Sequence, residues 1–410
     1  MQAGDAAQAG RQWTGADAAY AKVVDGATGT AYATYVAYQR ARMLRAQGRQ
    51  TAAITALQAL LAEHPQDERA DAAVVELAQA YGETGEYEAA ATQWQTLITQ
   101  YPRSALVPQA YLSWGTLLMD RQRWAEAAER FHALVRFFPD HPLAAQAVLL
   151  RAQSLQLAER PAEAERAVRE HLERPLPPEA AIPLWIWLGQ VAARASRWEE
   201  AQHCWQTIVD RWPQDPHTAQ AVQELAQAAR ETGHPQEAEK LWRQVVDRFS
   251  GNPWAVQARL ALAGIALQRQ DIEAAHRWLA PVTEDAATSI EDRIATGDLW
   301  RRHGAWAEAR AAYAPHSADP PEEAAHLWWL SGACAEEAND PEAATTAYHA
   351  LDQQYPDTTW AAQGRLALGQ VLERQEAWDA ARALYQRMIA QFPEESRYAR
   401  ERLDAIGARR

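Results

Sequence analysis

The dipeptides His64-Pro65, Tyr101-Pro102 and Phe138-Pro139 stand 37 residues apart, and Tyr355-Pro356 and Phe392-Pro393 repeat that interval. A fixed period of this length makes the chain a stack of one supersecondary unit rather than a set of unrelated domains. Between successive prolines the sequence reads as two helical patterns, for example Ala72 to Tyr81 and Tyr87 to Gln100, with a turn at Glu83-Thr84-Gly85. Each unit is therefore a helical hairpin. The 410 residues, enough for two or three ordinary domains, become about ten copies of it.

Setting the hairpins in register gives units that begin at residues 34, 71, 108, 145, 182, 219, 256, 290, 325 and 362. The eighth place is small in every unit: Ala41, Ala78, Gly115, Ala152, Gly189, Ala226, Ala263, Gly297, Gly332 and Gly369. The twentieth is always alanine, from Ala53 and Ala90 through Ala201 to Ala344 and Ala381. With 91 alanines in the chain, chance would put about two there, so the place obeys a steric rule. The twenty-fourth is bulky throughout: Leu57, Trp94, Phe131, Val168, Trp205, Trp242, Leu279, Tyr313, Tyr348 and Tyr385. Two helices approach closely where facing side chains are small, and large residues fill the remaining space. Most of the 18 tryptophans thereby acquire a packing address. Trp13, Trp124, Trp198, Trp306 and Trp378 open second helices, where Pro161, Pro235 and Pro341 replace them elsewhere, and Trp254 and Trp360 precede first helices as hydrophobic staples.

Trp185, Leu188, Gly189, Ala201, Trp205 and Pro213 in one unit, and Leu77, Ala78, Tyr81, Ala90, Trp94 and Pro102 in another, resemble the tetratricopeptide repeat. The resemblance covers nearly the whole chain and implies an all-α fold: an α-α superhelical solenoid of tandem helical hairpins, about ten full repeats with partial units at both ends. The aromatic-proline pair with a polar connector, as in Phe138-Pro139-Asp140 and Tyr355-Pro356-Asp357-Thr358, is similar to a bacterial cell-envelope subgroup. That subgroup includes the repeat lipoprotein of the outer-membrane β-barrel assembly machinery and the periplasmic coordinator of the Tol-Pal system. No positively charged start, apolar segment or lipid-acceptor cysteine precedes the repeats.

The expected organisation is a partial repeat at 1–33, a regular array at 34–283, an irregular repeat and loop at 284–324, a second regular stretch at 325–398, and a capping helix at 399–410. Gly10 to Trp13 align with Arg121 to Trp124, so the chain opens inside a repeat, as a trimmed precursor or fragment would. Pro281 and Pro315 both fall on the twenty-sixth place, inside second helices, and predict that those helices end early. The repeat step falls there from 37 to 34 and 35, which reads either as repeat decay or as a hinge or docking point over 280–322.

Charge and motifs restrict the chemistry. Lys and Arg number 40 against 54 Asp and Glu, and the formal charge of −14 argues against nucleic-acid binding. No apolar stretch reaches the roughly 18 to 20 residues of a membrane span, so an integral membrane protein is not expected. None of the 12 histidines stands at a metal-ligand spacing, and phosphate-loop, nucleophile-elbow and dinucleotide motifs are absent. His203-Cys204 is the nearest approach to a reactive pair, but neighbours on a helix point about 100° apart. The expectation is no catalytic residue, no metal and no cofactor.

The resemblance implies a concave groove lined by places 2, 5, 9 and 12 of first helices. The candidate groove residues are Tyr38, Arg42, Gln79, Leu112, Gln153, Ile186, Gln190, Gln227, Arg230, Trp329 and Gln370. Uncharged donors and acceptors beside an aliphatic seam suit an extended or helical peptide, while Arg42, Arg45, Arg230 and Arg301 add local ion pairs. The set of Lys and Asn with which some members clamp a terminal carboxylate is missing, since the only asparagines are Asn252 and Asn339. The expected partners are other proteins or peptides, with self-association left open. Three readings follow: a non-catalytic scaffold in bacterial cell-envelope assembly, periplasmic if a signal sequence was removed; a cytoplasmic interaction arm of a larger regulatory or enzymatic complex; or a glycan- or peptidoglycan-binding solenoid that uses exposed tryptophan.

Overall fold

The computed structural model describes residues 31–285, 288–392 and 397–407, so the expectations for the first partial repeat, Trp13 included, lie outside the described residues. The chain divides into two compact units, Met1–Thr207 and Ile208–Arg410. Among the described residues there are 21 α-helices and no strand, running from Ala31–Ala46 to Arg397–Gly407 as ten hairpins and a final single helix. The protein is an all-α solenoid of tandem hairpins. In each unit the core runs on from hairpin to hairpin: one cluster joins Ala41, Leu57, Leu77 and Ala90, another joins Ala226, Trp242 and Leu262.

The hairpin is closed by a ring laid against bare backbone. A Cβ added to Gly115, Gly189, Gly297, Gly332 or Gly369 would come within 2.3–2.4 Å of Phe131, Trp205, Tyr313, Tyr348 or Tyr385 respectively, the twenty-fourth residue of the same hairpin. Where that residue is Leu57, Val168 or Leu279, the eighth place is Ala41, Ala152 or Ala263, each fully buried. Five of the seven aromatic rings thus lie against glycine, while Trp94 and Trp242 are accommodated beside Ala78 and Ala226. The tyrosine rings reach across to carboxylates of their own first helices, Tyr313 to Asp298 at 2.6 Å, Tyr348 to Glu336 at 2.8 Å and Tyr385 to Glu373 at 2.8 Å. Burial and these carboxylates push all three phenols well above their ordinary range.

The turn inside every hairpin follows one design. Its fifteenth residue has a left-handed backbone in all ten cases: Gly48, Gly85, Gly233 and Gly304, but also Gln122, Glu159, Ser196, Gln270, Asn339 and Glu376 at φ 56–62°. The next amide then reaches back to a carbonyl five residues earlier, as from Arg123 to Leu118 at 2.9 Å and from Ala377 to Leu372 at 2.8 Å. That bond caps the first helix and turns the chain into the second. Trp124, Trp198, Trp306 and Trp378, and Pro161, Pro235 and Pro341, are the first residues of their helices. Trp254 and Trp360 lie inside the first turns of Pro253–Gln268 and Thr359–Arg374 rather than before them, because Asn252 and Thr358 take the cap positions.

The two irregular prolines behave differently. Helix Ile272–Thr283 passes through Pro281, loses one hydrogen bond there and stops two residues later, so it ends early at 12 residues where most second helices run for 14. Trp306–Ala312 stops before Pro315 after 7 residues. The loop that follows is stapled by Arg293, 1% exposed, which donates to the Ala314 carbonyl at 3.0 Å and to Asp319 at 2.6 Å.

Two substitution sets test these contacts. Gly332→Ala is expected to lose about 1–3 kcal/mol, because Tyr348 must move. Gly264→Ala, whose Cβ would meet Leu299 at an ordinary 3.7 Å, is expected to gain about 0.5–1 kcal/mol of helix propensity. Gln122→Gly and Gln270→Gly are expected to raise stability by about 0.5–1 kcal/mol through relief of left-handed strain. Urea melts that rank the two glycine-to-alanine variants together, or that show both glycine turns destabilised, would contradict these contacts.

Candidate functional site

Within residues 31–207 the first helices of neighbouring hairpins leave a cleft of about 670 Å³. Helix Ala70–Thr84 presents Gln79, Gly82 and Glu83 to it, and helix Val107–Asp120 presents Leu112, Ser113, Thr116 and Asp120. Gly82 widens the cleft because it has no side chain. Two of the expected residues, Gln79 and Leu112, meet here. Leu112 is only 7% exposed, and Ile186 8%, so these fifth-place residues form walls and offer little surface to a ligand.

Charge gathers near one end of the cleft, where Arg42 and Arg45 form ion pairs. Arg42 pairs with Glu76 at 3.3 Å, and Arg45 meets Glu76 at 2.5 Å and Glu83 at 3.6 Å. Arg45 also donates to the Gln79 amide oxygen, so that glutamine is already engaged. Tyr38 is half-buried with the Arg42 guanidinium 5.8 Å from its ring centre, and burial followed by Glu76 raises its phenol. Arg121, at the far end, lies 3.2 Å over the ring of Tyr87. Glu76, Glu83 and Asp120 occupy sixth and thirteenth places, outside the four groove places. For Glu76 and Glu83 the signal was Arg42 and Arg45 at groove places of the preceding hairpin, which require acidic partners.

The remaining candidates are scattered along their first helices. Gln153, Gln190 and Gln370 are half-buried. Gln227 donates to Glu231 at 2.8 Å, and exposed Arg230 lies 3.5 Å from Glu231 with its guanidinium 5.9 Å from the Trp242 ring. Trp329 joins an aromatic cluster: His326 stacks on Trp360 at 4.0 Å and 13°, and Trp329 stands 5.2 Å from Trp360 and 6.4 Å from His326. His326 covers a face of Trp360, which removes a flat platform of the kind a sugar ring would use.

Chemical machinery does not assemble at the residues singled out. His203 is exposed while Cys204 is 1% exposed, and burial pushes the Cys204 thiol up to about 11, so it stays protonated. Cys334 is raised by burial in the same way. Among the described residues no group of three or more His, Cys, Asp and Glu is arranged to hold a metal, and no helix is long and apolar enough to cross a membrane.

The small eighth place under a large twenty-fourth, the capped left-handed turn and the stacked hairpins define a helical-repeat scaffold. Residues 188–326 match a family model described as a tetratricopeptide repeat-like domain, and residues 112–180 and 361–396 match a tetratricopeptide repeat model. The chain is a tetratricopeptide-repeat protein. Residues 31–119 also match a model described as an outer membrane lipoprotein. Comparison with curated proteins gives no match. Among solved structures, the C-terminal part of a tetratricopeptide-repeat protein from Cytophaga hutchinsonii is 12% identical, with 62% of this chain and 97% of that one covered and a TM-score of 0.46. Yeast Tom70 is 10% identical over 99% of this chain and 94% of its own, at 0.42. A tetratricopeptide repeat protein from Parabacteroides merdae is 15% identical over 60% and 93%, at 0.38.

His171 is the outlier among buried polar groups. It occupies the twenty-seventh place, where Leu60, Leu97, Leu134, Ile208, Val245, Val282, Leu351 and Met388 fill the core of other hairpins. It is 5% exposed and its Nε2 has no hydrogen-bond partner. Burial, and then Arg174, hold its imidazole below the ordinary value. The unfolded chain therefore takes up this proton first as pH falls, so stability is complete above about pH 6.5 and declines below it. His171→Leu is expected to be more stable than the parent at pH 5 and to show a shallower loss between pH 7 and pH 5 in urea melts. A parallel pH profile would remove this role.

Proposed function

We propose that the protein is a non-catalytic scaffold that holds a segment of another protein against the groove faces of its first helices, and that this partner belongs to the bacterial cell envelope. The single observation that supports the binding mode is the cleft between Ala70–Thr84 and Val107–Asp120. It is an open channel with an aliphatic wall at Leu112, hydroxyls at Ser113 and Thr116, and a carboxylate at Asp120. Such a lining suits an extended or helical segment whose backbone and polar side chains find partners along the rim. The envelope setting is supported by the match of residues 31–119, which build this cleft, to the outer membrane lipoprotein model.

Gln153 and Gln190 stand on further first helices of the same unit, and Gln227, Trp329 and Gln370 give the second unit a groove face of its own. Binding is through shape and many weak polar contacts, so removal of one glutamine has a small effect and filling the cleft a large one. A photo-crosslinking amino acid at position 113 or 116 in the native host is expected to trap the same partner from both sites, and that partner is expected in the envelope fraction. The same residue at exposed Gln95 or Glu170, on second helices, is expected to trap nothing in common with it. Capture of one shared partner from positions 95 and 170 but not from 113 and 116 would refute the cleft, and a shared cytoplasmic partner would refute the setting.

A further inference from the structure

The ion-pair device at the twenty-first place occurs twice, and the two copies differ in charge. In one hairpin pair Glu165 meets Arg169 of its own helix at 3.7 Å and Arg197 of the next turn at 2.6 Å, and Arg197 continues to Glu200 at 2.7 Å. Arg169 also reaches Glu200, so two guanidinium groups face two carboxylates. In the other, Arg243 and Arg269 each donate at 2.7 Å to a different oxygen of Glu239, whose charge is thereby used on both sides. Here the place of Glu200 is taken by Ala274. Three residues on stands Arg277, exposed and without a carboxylate partner among the described residues. Asp271 is committed to the next helix, whose Ala274 amide donates to it at 2.9 Å.

A cavity of about 420 Å³ lies beside Ala274, with Arg243, Arg269, Arg277 and the already engaged carboxylates of Glu239 and Asp271 on its walls and an apolar floor of Leu262, Ile265 and Trp278. Trp278 stands where the balanced copy has Cys204, and the Arg243 guanidinium lies 6.0 Å from its ring centre. We propose that this cavity is a binding site for a small organic carboxylate with an apolar, ring-bearing body. Its head takes the role that Glu200 plays in the other copy, beside Arg269 and Arg277, and its body covers Leu262, Ile265 and the Trp278 ring. Exposed arginine and carboxylate gain little from pairing in water, so the head supplies selectivity and the buried body most of the affinity. The volume lies in the range of small-molecule pockets. The site is on the second-helix side of the hairpins and is independent of the proposed protein-binding cleft.

Calorimetric titration of the full chain with 4-phenylbutyrate, 4-phenylbutyramide and inorganic phosphate tests the assignment. The acid is expected to bind saturably with one site, the amide about tenfold more weakly, and phosphate without saturation. Arg277→Gln is expected to weaken the acid about tenfold. Ala274→Glu, which restores the carboxylate of the balanced copy, is expected to abolish binding while the far-ultraviolet circular dichroism melt stays at the parent temperature. Equal affinity for acid and amide, saturation by phosphate alone, no saturable heat from the acid at millimolar concentration, or undiminished binding in both variants would each overturn the proposal.

Discussion

The contact on which the fold depends is the one between the eighth and twenty-fourth residues of each hairpin. Five times it brings an aromatic ring to within van der Waals reach of a glycine backbone, at Gly115, Gly189, Gly297, Gly332 and Gly369. A buried ring of this size removes roughly 150–250 Å² from water, or about 4–6 kcal/mol of apolar transfer, and that return is available only if the two helices come close. The closeness sets the geometry of the rest. It positions the phenols of Tyr313, Tyr348 and Tyr385 to reach the first helix, and it makes the hairpin a rigid element that can stack on its neighbour.

Stacking between hairpins is then tuned by charge. Arg123 meets Glu88, Arg197 meets Glu165, Arg269 meets Glu239, and Arg374 and Arg402 meet Glu336 and Glu373, each pair joining successive repeats. Exposed pairs of this sort contribute about 0–1 kcal/mol each, far less than the ring burial beneath them. Their effect is on register. Glu336 and Glu373 receive a tyrosine hydroxyl from their own hairpin and a guanidinium from the next, so one carboxylate reports the position of two neighbours. Arginine is nearly the sole cation of the chain, with Lys22 and Lys240 the only lysines, and Arg197 and Arg402 each use two donors on the carboxylate of the neighbouring repeat.

Much of the fold was legible because the packing rule recurs at a fixed interval. Ala201, Trp205 and Gly189 announce their roles by place alone, and the starts of second helices at Trp124 or Pro161 follow from the same register. The turn was legible only where it holds glycine. Gln122, Glu159, Ser196, Gln270 and Glu376 adopt the same left-handed backbone with no residue preference to reveal it, since stacking over-determines the strain. Pro281 was legible as an early end but not as a place inside the helix, because a proline near a helix end removes a single bond that packing readily offsets. The groove was least legible. Place counting found Gln79 and Leu112 but gave no account of Glu76, Glu83 and Asp120, because a neighbouring hairpin decides whether a glutamine is free or already held by Arg45.

The sequence by itself determined the all-α class, the number of hairpins, and which residues face inward within each, since these follow from periodicity and from local steric fit inside 37 residues. The tertiary structure alone decided which polar residues remain open to a ligand. It tied Gln79 to Arg45, covered Trp360 with His326, left His171 unpartnered in an aliphatic core place, and opened a cavity where Ala274 replaces a carboxylate. The physical reason is that burial of a helix face depends on a pattern within one hairpin. The state of a charge or hydrogen-bonding group depends on side chains that a second hairpin, some 30 to 38 residues away, brings within reach.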